Sequence, residues 1–437
     1  MRYTGAMDDD LAARALALDW LEMVLARRRT LDDAIAELTG AALAERDRAF
    51  ARALAACVLR RLGQIDALIG RCLESPRAAG ARAARALLRL GAAQLLFLDT
   101  PPHAAVDTTV RLARARGLDA LTGLINGVLR RLARDGAAWR DAQDAARLNT
   151  PDWMWRSWTA AYGERRARAI AAAHLDEPPL DLTPKRGAQA AALARRLDAK
   201  VLATGGLRLA ARARIESLAG YGEGEWWVQD AAAALPARLL APVAGRRVIE
   251  LCAAPGGKTA QFAAAGADVV AVDRSSPRLE LLAANLRRLG LTAETVCADA
   301  GRWRPQRPAE LVLLDAPCTG TGTIRRHPDI LRLRRAEDVA RQAALQRRLL
   351  DNAAAMLAPG GLLVYAVCSL EPEEGPELVE GLLAGGAPFE RVRIEAGEVG
   401  GLTELVSPAG DLRTLPCHLA DQGGLDGFYA ARLKRLA

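Results

Sequence analysis

The sequence predicts a multidomain protein in which an all-helical amino-terminal region is followed by a small mixed unit and a carboxy-terminal doubly wound α/β domain. Three observations predict it. Apolar residues recur at helical spacing through the first 140 residues. A strand, a small-residue turn and a helical pattern follow one another from Val248 to Ala265. Two later apolar runs, Leu311-Val312-Leu313-Leu314 and Leu362-Leu363-Val364-Tyr365, read as short buried strands, each ending just before a cysteine, Cys318 and Cys368.

The helical region is legible from Leu11-Ala15-Leu18-Leu21-Val24-Leu25, Phe50-Leu54-Cys57-Val58-Leu59 and Leu87-Leu88-Leu95-Leu96, with Pro76 and Pro101-Pro102 as breaks. Cys57 and Cys72 fall on these helices and read as core packing. Trp139, Trp153, Trp155 and Trp158 mark a connector that reads as packed core rather than a base-stacking platform. Residues 165–235 carry fewer signals, and from sequence alone they form a mixed linker unit closing at Glu225-Trp226-Trp227-Val228-Gln229-Asp230. The run Gly424 to Lys434 reads as a last strand on an antiparallel sheet edge, whereas Ala387 to Leu415 is not assigned.

Chemistry concentrates at the strand ends of the last domain, because the carboxyl ends of parallel strands are where open α/β sheets bind ligands. After Val248-Ile249-Glu250-Leu251 comes Cys252-Ala253-Ala254-Pro255-Gly256-Gly257-Lys258-Thr259, a turn whose small residues let a ligand approach the backbone at a helix start. Gly257-Lys258-Thr259 imitates the end of a phosphate loop, but that pattern needs a glycine where Cys252 stands. The next strand ends at Asp273, another near Asp299, and Leu311 to Leu314 leads into Asp315. An acid after the second strand commonly accepts hydrogen bonds from a ribose. The first turn lacks the glycine pattern of dinucleotide enzymes, and S-adenosylmethionine fits better: it has a ribose to bind and a cationic sulfonium that tolerates carboxylates. Taken singly, each Asp could be a turn former or a helix cap, and each cysteine a small buried hydrophobe.

These residues together resemble the RNA 5-methylcytosine methyltransferases. The resemblance rests on Glu250 to Thr259, Asp273, Asp299, Asp315-Ala-Pro-Cys-Thr-Gly-Thr-Gly-Thr323, Arg326-His327-Pro328-Asp329 and Tyr365-x-x-Cys368-Ser369. Gln94 to Asp99, Pro102-His103-Ala104-Ala105-Val106-Asp107 and Ile125-Asn126-Gly127-Val128-Leu129-Arg130 look like a NusB-like domain, and the pairing points to the RsmB (Fmu/Sun) subfamily. Val367 stands where the family often has Thr, and Thr183-Pro184-Lys185 stands where it usually has Arg-Val-Asn. The resemblance implies a NusB-like RNA-binding domain over residues 1–140, a linker and α+β subdomain over 141–235, and a Rossmann-like class I methyltransferase domain over 236–437. It implies Cys368 as nucleophile, Cys318 in product release, Asp315 on the base edge and near the cofactor, and Lys258 as a nearby positive charge. Cys252 to Lys258 with Asp273, Asp299 and Asp315 would hold S-adenosylmethionine, and a cytosine of 16S ribosomal RNA would be the substrate. The turn Thr319 to Thr323 and Arg325-Arg326-His327 could grip the RNA backbone. A cysteine in place of the aromatic typical of amino-group methyltransferases favours reaction at ring carbon.

Composition agrees. The chain has 437 residues, 51% of them hydrophobic, enough for two or three cores. Seven cysteines without a Cys-x-x-Cys pair and four scattered histidines speak against a disulfide framework or a metal centre. No apolar run free of charge reaches membrane length, and Asp8-Asp9-Asp10 is unlike a secretory leader, so a cytoplasmic monomer is expected. The net charge is +8, and residues 1–140, with 22 Arg, no Lys, 12 Asp and 4 Glu, supply +6 of it. Such a field suits an RNA partner. Three readings stay open: a cytosine methyltransferase acting on ribosomal or transfer RNA, a nucleotide hydrolase built on Gly257-Lys258-Thr259, and a non-catalytic RNA-binding protein.

Overall fold

The structure is a computed structural model that describes residues 9–73, 82–209 and 214–436; Asp8 and the break expected at Pro76 lie outside the described residues. The chain divides into two compact units, residues 1–176 with 326–334, and residues 177–325 with 335–437.

The first unit is helical: α1 (Asp9–Arg27), α2 (Leu31–Glu37), α3 (Glu45–Arg60), α4 (Leu62–Cys72), α5 (Arg82–Phe97), α6 (Pro102–Ala115), α7 (Thr122–Asp141), α8 (Ala145–Asn149), α9 (Asp152–Tyr162) and α10 (Glu164–Ala173). Local chemistry sets several starts. Thr30 accepts the Asp33 N–H at 3.1 Å to cap α2, and α6 begins at Pro102, whose missing N–H would have had no helical partner. The expected apolar faces meet in one core around Leu18, Trp20, Leu54, Val58, Ile65, Leu87, Leu90 and Leu129, with Cys57 in it and Cys72 packed against it. The tryptophans do not form one stripe. Trp158 is buried edge-on to His174 at 5.3 Å, whereas Trp139 lies under Arg71 and Arg131 and Trp155 under Arg147 and Arg168, at 4.5–5.4 Å.

The second unit opens with a four-stranded antiparallel sheet in the order β2-β3-β1-β4: β1 (Leu180–Pro184), β2 (Ala199–Val201), β3 (Leu207–Leu209) and β4 (Trp226–Val228), with α11 (Ala190–Leu197) on it. Buried Arg208 holds Asp181 through two bonds of 2.7 Å. After α12 (Leu235–Arg238) comes the large sheet: β5 (Arg247–Leu251), α13 (Gly257–Ala264), β6 (Asp268–Asp273), α14 (Ser276–Leu289), β7 (Glu294–Cys297) and β8 (Ala309–Asp315). The chain enters the first unit with α15 (Ile330–Leu333) and returns with α16 (Ala336–Met356), β9 (Leu357–Val367), α17 (Pro376–Ala384), β10 (Phe389–Arg391), β11 (Leu412–Thr414) and β12 (Phe428–Arg435).

The large sheet runs β10-β12-β9-β8-β5-β6-β7, with β11 also on β12, and β9-β8-β5-β6-β7 are parallel. Strand order reverses between β5 and β8, which makes the crevice beyond Leu251 and Asp315 the topological switch point. Strands β5, β6 and β8 are buried along most of their length, which is why they read as apolar runs, whereas β7 at the edge is largely exposed. One expectation is corrected: β12 is not the edge, because Phe389–Arg391 pairs outside it, Phe389 opposite Arg435. That three-residue strand is invisible in the unassigned stretch because it is too short to show a period.

Candidate active site

The turn after β5 is shaped by backbone conformations that few residues accept. Cys252 has φ of 61° and Gly256 φ of 99°, and a Cβ on Gly256 would come within 2.6 Å of the Leu282 side chain, so only glycine fits. Buried Asp273, at the end of β6, ties the turn down by accepting the Ala254 N–H at 3.1 Å and the Ser275 N–H at 3.0 Å. Beneath the turn, buried Glu250 accepts the Thr259 hydroxyl at 2.6 Å. Burial pushes the Glu250 carboxyl up to about 8, and the same cause raises the Cys252 thiol to about 12. Asp299 is exposed just past β7 and accepts the Gly301 N–H at 2.9 Å.

Lys258 sits on the first turn of α13 and crosses the switch point. Its Nζ lies 2.7 Å from Asp315 Oδ2 at the end of β8 and 5.3 Å from the centre of the Phe428 ring. Lys258 is buried, with 8% of its side chain exposed against 27% for Asp315. Burial alone would lower its pKa, but the Asp315 carboxylate, with smaller contributions from Glu250 and Cys368, outweighs that and holds it above the ordinary lysine value.

The two thiols come together because β8 and β9 are parallel neighbours in register, Asp315 opposite Ala366, with the Ala316 N–H donating to the Ala366 carbonyl at 2.9 Å. Three and two residues further on, the Cys318 and Cys368 Sγ atoms are 3.4 Å apart. The hydrogen bond to Cys368, burial, and the negative charges of Cys368 and Glu374 push the Cys318 thiol well above its ordinary value. Past Cys318, the Gly322 N–H donates to the Cys368 carbonyl at 3.0 Å and the Gly427 N–H to the Gly322 carbonyl at 2.8 Å.

Two sequence expectations need correction. The Thr319 to Thr323 turn and Arg325 do not offer an RNA grip: Thr319, Thr321 and Arg325 are buried. The Arg325 guanidinium binds Asp426 at 3.0 Å, Asp230 at 3.2 Å and the Gly423 carbonyl at 2.6 Å. His327 keeps 45% of its side chain exposed and meets Asp32 at 3.3 Å within the first unit, where Asp329 accepts the Leu31 N–H at 3.3 Å and Leu333 joins the helical core. A basic run next to a reactive loop looks like a phosphate clamp until its partners are known. Sequence reasoning also passes over Glu374, buried against both cysteine loops, because burial alone separates it from its exposed neighbour Glu373.

Among the described residues no cluster of His, Cys, Asp and Glu could hold a metal ion, and no helix is long and apolar enough to cross a membrane. Known proteins converge on one family. The NusB family matches residues 11–134, and the family described as 16S rRNA methyltransferase RsmB/F matches residues 237–434. The chain is 38% identical over 444 residues to ribosomal RNA small subunit methyltransferase B of Pseudomonas putida, covering 98% of each chain. It is also 38% identical over 414 residues, 90% of each chain, to the protein of that name from Pseudomonas syringae pv. tomato. A crystal structure of a methyltransferase homolog protein from Pyrococcus horikoshii is 26% identical, with a TM-score of 0.56 over 67% of this chain and 98% of that one. With a NusB-type helical domain ahead of a parallel-sheet domain whose switch point carries two adjacent thiols, this chain belongs to the RsmB/F family of S-adenosylmethionine-dependent 16S rRNA methyltransferases.

Proposed function

We propose that the protein methylates carbon 5 of a cytosine in 16S ribosomal RNA through a covalent bond between Cys368 and carbon 6 of the ring. The observation that carries this reading is the pair of sulfurs 3.4 Å apart at the ends of neighbouring parallel strands, beside the Lys258–Asp315 ion pair.

The residues of the first turn suit S-adenosylmethionine. Each Asp273 oxygen spends one lone pair on a backbone N–H and keeps another for a ribose hydroxyl, and Asp299 is exposed at the next strand end. Cys252, Ala253, Ala254, Pro255, Gly256, Gly257 and Lys258, with Asp273, Asp299 and Asp315, would hold it. When bound, it supplies an electrophilic methyl group.

Carbon 5 of cytosine is a weak nucleophile. The Cys368 thiolate forms a bond to carbon 6, and the displaced electron pair makes carbon 5 enamine-like and able to attack a methyl group. Asp315 hydrogen-bonds the N3 and N4 edge and stabilises protonation there, while Lys258 balances the negative charge that the thiolate brings. The two sulfurs share a hydrogen bond in the resting site, and it is the largest cause raising the Cys318 thiol above its ordinary value. Once Cys368 is bonded to carbon 6, that hydrogen bond is gone, which removes the largest cause raising the Cys318 thiol. Cys318 then acts in product release: having lost its own proton to solvent, its thiolate takes up the carbon 5 proton, the electron pair left behind reforms the ring double bond, and the sulfur–carbon 6 bond breaks to return the Cys368 thiolate. The target must be unpaired or flipped out for carbon 6 to reach a thiol.

The test is methyl transfer from labelled S-adenosylmethionine to purified 16S ribosomal RNA and, in parallel, transfer RNA, followed by nucleoside analysis. 5-Methylcytosine in the ribosomal RNA is the expected result. Label only in transfer RNA would refute the substrate, and label in another nucleoside would refute the chemistry.

A further inference from the structure

Between the two cysteine loops lies a buried carboxylate that the chemistry above does not use. Glu374 follows β9 by seven residues and is fully buried. Its Oε1 accepts the Thr319 N–H at 2.9 Å and the Gln346 amide at 3.0 Å; its Oε2 accepts the Ser369 hydroxyl at 2.5 Å and the Thr319 hydroxyl. Thr319 follows Cys318 directly and Ser369 follows Cys368 directly. The Gln346 amide also donates to the Pro317 carbonyl at 2.9 Å, so both chain neighbours of Cys318 are held. Every donor is neutral, and four donors on two oxygens call for a group that only accepts, which a carboxylate is and an amide is not.

We propose that Glu374 is the positioning residue that sets the spacing of the two thiols. Two further ties run the same way: the Leu370 N–H donates to the Thr321 hydroxyl at 2.9 Å, and the Tyr365 hydroxyl donates to the Glu374 carbonyl at 2.6 Å, anchoring the residue to β9. Bridging both loops, the side chain prevents either from moving without the other. The sulfurs belong to different loops, so their separation is only as well defined as this bridge. The geometry stands on the hydrogen bonds alone; the role in turnover rests on the functional reading above.

Glu374→Gln keeps the shape but turns an N–H₂ group toward donors, whereas Glu374→Asp keeps the charge but loses the reach. Three readouts are taken on each: S-adenosylmethionine affinity, single-turnover methyl transfer to 16S ribosomal RNA, and the pH profile of iodoacetamide labelling at Cys318 by peptide mass spectrometry. Both variants are expected to bind the cofactor as the unaltered protein does while the single-turnover rate falls about a hundredfold, the scale of a 1 Å misplacement. Cys318 labelling is expected to move to lower pH in Glu374→Gln and to stay in place in Glu374→Asp. An unchanged rate in both variants, or a loss of cofactor affinity that accounts for the whole fall, overturns the proposal. If neither variant folds, Thr319→Val, which removes one hydroxyl tie and leaves the carboxylate, takes the same three readouts. An unaltered protein that transfers no methyl group refutes the functional reading instead, and the labelling profile still decides the role of Glu374.

Discussion

Replacing Arg325 by Ala should destabilise the second unit and leave RNA affinity alone. The side chain is 2% exposed and its partners Asp230 and Asp426 are 3% and 4% exposed, so the substitution takes the cation away from two buried carboxylates and a donor away from the Gly423 carbonyl. Breaking a buried ion pair from one side costs about 3–5 kcal/mol, mostly the penalty of the charge left behind. At about 2–4 °C per kcal/mol for a domain of this size, melting should fall by roughly 10 °C or more. The assay is thermal and urea unfolding followed by far-ultraviolet circular dichroism, with filter binding of 16S ribosomal RNA measured where the variant is still folded. The triple variant Arg325→Met, Asp230→Asn, Asp426→Asn should recover much of the loss, because it removes the charges together rather than orphaning two of them. A variant as stable as the unaltered protein but weaker in RNA binding would refute this reasoning and restore the clamp that the sequence suggests.

Cys368→Ala should abolish methyl transfer, and Cys318→Ala should retain adduct formation and accumulate protein–RNA complexes that survive denaturant on a gel; full turnover in either variant would refute its assigned role. Glu250 has a folded pKa of about 8, above the ordinary 4.5. A raised carboxyl pKa means the folded state binds the extra proton, so this group costs stability increasingly as pH rises from about 4.5 to 8. Glu250→Gln should therefore gain stability relative to the unaltered protein across that window, and parallel pH–stability curves would exclude the effect. A Cβ at position 322 would lie 1.9 Å from the Gly427 carbonyl oxygen, so Gly322→Ala should cost about 1–3 kcal/mol in urea unfolding and slow methyl transfer by displacing the Cys368 loop.

The chemical content of the strand ends is legible in the residues themselves. Apolar runs long enough to be buried strands, each followed by small residues, put Asp273 and Asp315 at the carboxyl ends of strands and Cys318 and Cys368 just past them, because period and residue type are local properties. The helical amino terminus is legible for the same reason: apolar spacing repeats over many turns. The three-residue strand Phe389–Arg391 leaves no such trace, and it takes the sheet edge expected for the last strand.

Sequence alone determined which residues could react and which elements would carry them. Tertiary structure decided which of them meet. Lys258 and Asp315 are 57 positions apart and Cys318 and Cys368 are 50 apart, and each pair closes only because β5, β8 and β9 lie side by side in parallel. The same holds for Arg325 and Glu374: an arginine beside a reactive loop and one acid among several carry no mark of burial. A charge becomes a clamp, a strut or a solvated surface group according to what surrounds it, and those surroundings come from distant parts of the chain.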